Sequence, residues 1–169
     1  MADMPAPLMF WEDFHEGQIL ELGSRTVGKD EMLSFARAYD PQPFHLDPEA
    51  ARASIFGALI SSGWLTASLY MRLLVDGLLN KTTSQGSPGV DALRWLKPVF
   101  AGDTLSASAR VLETRPSRSR PTIGIVKMEG AVRNQHGLAV LTLVSNGLFG
   151  RRPDAVQETA PDTRATAPS

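Results

Sequence analysis

Apolar residues recur with a helical period in the first half of the chain and with a strand period in the second. Ile19, Leu20, Leu22 and Val27 mark a first strand over residues 18–27, closed by Gly28. Met32, Phe35, Ala36 and Tyr39 then fall at i, i+3, i+4 and i+7, the stripe of an amphipathic helix over 29–39. Asp30 and Glu31 occupy its first turn, where the helix dipole favours negative charge, and Pro41 ends it. Asp47 is a good N-cap and Pro48 suits a first helical position, so a short helix starts there. Gly57 and the run Ser61-Ser62-Gly63 interrupt it. Residues 64–79 are helical in length and apolar on nearly every face, through Leu65, Ala67, Leu69, Met71, Leu73, Leu74, Val75 and Leu78. A helix apolar all round is a buried helix.

Residues 80–89, with two glycines, Pro88 and several Ser and Thr, read as a loop. Leu93, Trp95, Val99 and Phe100 predict a strand interrupted at Pro98, and Ala101-Gly102-Asp103 a turn. Leu105, Ala107, Ala109 and Val111 alternate with Ser106, Ser108 and Arg110, the pattern of a half-buried strand. A further strand over 123–132 is joined by Asn134-Gln135-His136-Gly137 to one over 138–148. That last strand is apolar on both faces and belongs inside a sheet. The expected fold is α+β, a single domain whose antiparallel sheet wraps around one long buried helix. Residues 1–10 are expected to form a flexible arm, 11–152 the domain and 153–169 a disordered tail rich in Ala, Pro and Thr. One chain would leave the helix and the sheet edges incompletely covered, so a homodimer or higher homo-oligomer is expected.

Composition narrows the classes of function. The 169 residues suit one domain with a substantial core. A net charge of -1 gives no electrostatic footprint for nucleic acid or an acidic membrane surface. With no cysteine, disulfides and thiolate metal sites are excluded. The 64–79 segment is broken by Arg72 and Asp76 and is shorter than the roughly 20 residues that span a bilayer. Residues 1–10 lack the basic and apolar regions of a secretory signal, and a cytoplasmic protein is expected.

The chemistry concentrates in Asp40-Pro-Gln-Pro-Phe-His45, a proline-stiffened stretch expected to be a non-helical loop. His has an ordinary pKa near working pH, and a neighbouring carboxylate can orient it or share its proton. The Ser61-Ser62-Gly63 run opens the long helix, where unpaired N–H groups suit a developing oxyanion. Base, acid and oxyanion site together describe addition of water to, or its elimination from, a double bond conjugated to a carbonyl. The bland reading is a loop Asp–His contact with no chemistry. Asp47 is read as a cap, His15 and His136 as exposed turn residues, and His45-x-Asp47 lacks a third ligand at useful spacing, so no metal site is expected.

Three motifs, in order, carry a resemblance. Asp40-x-Gln-Pro-Phe-His45-x-Asp47-Pro, then Phe56-Gly-Ala-Leu-Ile60-Ser-Ser-Gly63-Trp-Leu65, then Pro98-Val-Phe-Ala-Gly-Asp103-Thr-Leu105, are similar to the motifs of the MaoC-like dehydratases and (R)-specific enoyl-CoA hydratases. The resemblance covers roughly residues 11 to 150. It implies the hot-dog fold and a lyase acting on 2-enoyl or 3-hydroxyacyl thioesters, with acyl-CoA or an acyl-carrier-protein thioester as substrate and no cofactor. It further implies Asp40 and His45 as the catalytic pair and the Gly63 N–H as oxyanion donor, with Ser62 beside it on the substrate wall. Two residues depart from the family pattern: Gln42 stands where it has Asn, and Ser62 where it has His. The alternatives are a hot-dog thioesterase, for which Asp76 is the sole acid on the long helix, and a non-catalytic acyl-thioester binding module.

Overall fold

The computed structural model describes residues 8–158. Strand β1 (Ile19–Thr26), helices α1 (Lys29–Tyr39), α2 (Pro43–Leu46), α3 (Pro48–Ala53) and α4 (Gly63–Gly77), then strands β2 (Val90–Trp95), β3 (Thr104–Pro116), β4 (Ile123–Arg133) and β5 (Ala139–Gly150) follow in order, closed by α5 (Pro153–Glu158). The five strands form one antiparallel sheet in the order β1-β3-β4-β5-β2. The long helix lies against that sheet in the hot-dog arrangement.

Period-two patterning accounts for the sheet face. Val126, Met128 and Val132 of β4 are buried at alternate positions, as are Leu105, Ala107, Ala109 and Val111 of β3. They meet Leu65, Leu69, Tyr70, Leu73 and Leu74 of α4 in one cluster that also holds Phe14 and Phe149. β5 lies between β4 and β2, as its two apolar faces predict. The end of α4 comes so close to β1 that a Cβ on Gly77 would lie 2.7 Å from the backbone oxygen of Leu22, at a bulge where the β1–β3 register shifts. Only glycine fits there.

The long helix is covered on one face, as expected of one chain: Trp64 is 58% exposed and Met71 51%, because a single five-stranded sheet covers one side of it. Three expectations need correction. The strand expected to run past Pro98 stops at Trp95. The N–H groups of Leu96 and Lys97 both turn to the Val140 carbonyl, and Pro98 has no N–H with which to continue a ladder. The Asp40–His45 stretch is not wholly loop, because Pro43 serves as the first residue of a one-turn helix, α2, that carries His45. Finally, some residues assigned to the flexible arm and the disordered tail carry structure. The Met9 N–H bonds the Lys81 carbonyl, and Pro153–Glu158 is helical. The remainder of both segments lies outside the described residues.

Candidate active site

The site forms where the C-terminal end of α1 meets the N-terminal ends of α2 and α4. Asp40 caps the C-terminus of α1, its N–H donating to the Ala36 carbonyl at 2.9 Å. Gln42 caps α2, and Asp47 caps α3 by accepting the Glu49 N–H at 2.8 Å, the role its position predicts. Ser62 caps α4 by accepting the Trp64 N–H. Pro43 starts the one-turn helix α2, which holds His45 against Asp40.

His45 Nε2 lies 3.2 Å from Asp40 Oδ2, and the ring is 5% exposed. Its Nδ1 sits 3.0 Å from the Ile60 carbonyl oxygen. A carbonyl only accepts, so Nδ1 carries a proton, and the neutral ring turns the lone pair of Nε2 towards the carboxylate. Attraction between the two groups therefore needs one proton held on Nε2 or on Asp40. Phe44 packs edge-on against the His45 ring, 4.5 Å between centroids, and limits its rotation.

Asp40 is surrounded by donors. Gln42 Nε2 donates to Oδ1 at 2.7 Å, and the Ser62 hydroxyl donates to Oδ2 at 2.7 Å. Partial burial pushes the Asp40 carboxyl up, but the hydrogen bonds from Ser62 and Gln42, with His45 beside them, outweigh it and hold the group below the usual carboxylate value. The longer amide of Gln42 thus serves the carboxylate directly.

Asp40, His45 and Gly63 line one cleft of about 440 Å³, walled by Phe44, Phe56, Ile60, Trp64 and Trp95, with Lys97 and Pro98 at its border. That volume suits a small-molecule site. The N–H of Gly63 is the first of α4 and has no backbone partner among the described residues. Ser62 does not stand where it was expected. It is completely buried and bonds Asp40, so it forms no part of the substrate wall. His15 and His136 are exposed, as expected. Among the described residues no group of three or more His, Asp or Glu is arranged to hold a metal ion.

Three contributors play parts that the motifs do not announce, although Ile60 and Val99 lie within them. Ile60 acts through its carbonyl, which any residue has. Val99 accepts the Ser61 N–H at 2.8 Å and ties the segment after β2 to the site. Trp95, far along the chain, donates its indole N–H to the Gly63 carbonyl at 2.7 Å. That contact explains why residue 63 is glycine, since a Cβ there would lie 2.6 Å from the Trp95 ring nitrogen. Gly63→Ala is expected to displace the indole and change the tryptophan fluorescence. In a Trp95→Ala background the same substitution should be close to neutral, and a double-mutant cycle checks this.

The model of the MaoC like domain matches residues 14–131. The chain belongs to the MaoC-like dehydratase family. The crystal structure of a MaoC-like dehydratase from Rhodospirillum rubrum is 40% identical with a TM-score of 0.80, the match covering 86% of this chain and 99% of that one. The mesaconyl-CoA hydratase of Cereibacter sphaeroides is 38% identical over 156 residues, 90% of this chain but only 44% of that longer protein. The (R)-specific enoyl-CoA hydratase of Aeromonas caviae is 33% identical over 112 residues, 63% of this chain and 81% of the hydratase. No helix among the described residues of this MaoC-like protein is long and apolar enough to cross a membrane.

Proposed function

We propose that this MaoC-like protein is a hydratase/dehydratase that adds water to a 2-enoyl thioester, or eliminates it from the 3-hydroxyacyl thioester, carried on CoA or an acyl carrier protein. The observation that carries the reading is Asp40 and His45 at 3.2 Å, facing one apolar cleft that the first N–H of α4 also borders.

In the hydration direction, the Asp40 carboxylate takes a proton from water as the water oxygen bonds to the β-carbon. The π electrons move onto the thioester oxygen, where the Gly63 N–H and the positive end of the α4 dipole stabilise the enolate. The enolate collapses as the α-carbon takes the proton from His45 Nε2. Asp40 is then protonated and His45 neutral. Passing that proton from Asp40 to Nε2 across 3.2 Å restores the starting state. Each carrier in the cycle is a side chain, so the step uses no cofactor.

Thioester hydrolysis is the lesser reading. The acid it requires on the long helix, Asp76, is bound to Arg72 at 2.6 Å on the exposed face and does not border the cleft. The active form is read as a homodimer, because α4 leaves Trp64 and Met71 uncovered and edge strand β2 exposes Val90 and Trp95.

The test is turnover of a panel of 2-enoyl-CoA thioesters of different length and branching, with a thiol reagent present to detect free CoA. Loss of the conjugated double bond without CoA release supports the reading. Binding without turnover on the whole panel would leave a non-catalytic module.

A further inference from the structure

Ser62 is buried completely, makes no part of the cleft wall, and yet bonds the carboxylate of the pair. The direction of each bond is fixed by chemistry. The Trp64 N–H can only donate, so Ser62 Oγ accepts it at 3.2 Å. The hydroxyl keeps one proton, and it points to Asp40 Oδ2 at 2.7 Å. A directed chain therefore runs from the first turn of α4, through Ser62, to the same carboxylate oxygen that faces His45 Nε2. It joins the C-terminal cap of α1 to the N-terminal cap of α4 across 22 residues of sequence.

We propose that Ser62 is a positioning residue of the reaction: its hydroxyl locks the Asp40 carboxylate in the orientation that presents Oδ2 to His45 and keeps it the proton acceptor. The proposal rests on the hydratase reading for its catalytic meaning, but the state of Asp40 can be measured without any substrate. Ser62 acts only through Asp40, since a side chain with no exposed surface does not meet a ligand in the cleft. A purely structural role, as the cap of α4, is the rival account.

The groups that bear on Asp40 differ by element. α2 contributes His45, the link after β2 contributes Lys97 at the cleft border, and α4 contributes no acid or base in its first turn. Gln42 donates to the other carboxylate oxygen in wild type and is left unchanged in every Ser62 variant below.

The experiment is a carbon-13 NMR titration of the aspartate carboxyl groups in the full chain, with Asp40 assigned by the signal lost in Asp40→Asn. Removing the hydroxyl in Ser62→Ala should raise the Asp40 midpoint by about one pH unit, the usual scale for losing a hydrogen bond to a charged group. Ser62→Thr, which keeps the hydroxyl, should return it close to the wild-type value. Ser62→Cys, a weaker donor of similar size, should fall between them and serves if the alanine variant does not fold. The acid limb of kcat/KM should move up with the midpoint, because Asp40 must be ionised to accept the proton. An Asp40 midpoint unchanged in Ser62→Ala and Ser62→Cys, with only the melting temperature lowered, would overturn the proposal and leave Ser62 as a cap. If the wild type turns over no thioester, the hydratase reading fails, while the titration still decides whether Ser62 holds Asp40.

Discussion

Asp40→Asn and His45→Ala should each lower kcat/KM for hydration of a good 2-enoyl-CoA substrate by about 10²- to 10⁴-fold, the range for removing a general acid or base. The asparagine keeps the shape at position 40 and leaves an amide that cannot take the proton from water. It also meets the Ser62 hydroxyl and the Gln42 amide, both of which now donate to the carboxylate. The alanine removes the group aimed at Asp40 and frees the Ile60 carbonyl that held it. Because one proton circulates between the two residues, the double variant should be little worse than either single one. Near-additive losses would mean that Asp40 and His45 act on separate steps. Circular dichroism of each variant checks that the fold survives, and Asp40, at the outer end of α1, is not part of the apolar core.

Leu69→Ala should cost about 2–5 kcal/mol of unfolding free energy, measured by urea denaturation. Leu69 is buried in the middle of α4, in the cluster shared with β3 and β4, and its truncation leaves a cavity that the sheet cannot close. Met71, two positions on, points the other way and is half exposed. Met71→Ala should therefore change the unfolding free energy of an isolated chain by less than about 0.5 kcal/mol. If a second copy covers this face, Met71→Ala will instead weaken association, read as a lower apparent mass at dilute concentration in light scattering. The pair of variants thus separates the inner from the outer face of the helix.

Much of the fold was legible from periodicity. The 29–39 helix and the alternation in β3 each follow from a spacing of apolar residues that one face of the element buries, and the interior place of β5 follows from apolarity on both of its faces. That one chain leaves α4 partly covered was legible from its apolarity on all sides; how much of each face the sheet covers was not, because apolarity does not say which face meets which element. Pro43 misled for a related reason. Proline ends a helix that precedes it and starts one that follows, and Asp40-Pro-Gln-Pro allows both readings.

In the candidate site the two titratable residues were legible, and the contacts that orient them were not. Asp40 and His45 stand out as titratable groups in a stiff, short stretch. Nothing in the sequence says that His45 is oriented by a backbone carbonyl at Ile60, or that Trp95 at the end of β2 reaches Gly63 at the start of α4. The resemblance places Ser62, in the motif position before Gly63, on the substrate wall. On a helix cap, adjacent residues face different directions, and the hydroxyl turns inwards to Asp40 instead.

The central claim is that the cleft adds water across a carbon–carbon double bond and leaves the thioester whole. Turnover of a 2-enoyl-CoA in oxygen-18-labelled water, followed by mass spectrometry, tests it most directly. The account predicts an intact CoA thioester heavier by one labelled water, with the label in the hydroxyl on the β-carbon. Label in a free carboxylate with release of CoA would contradict it, and so would unlabelled, unchanged substrate across the panel.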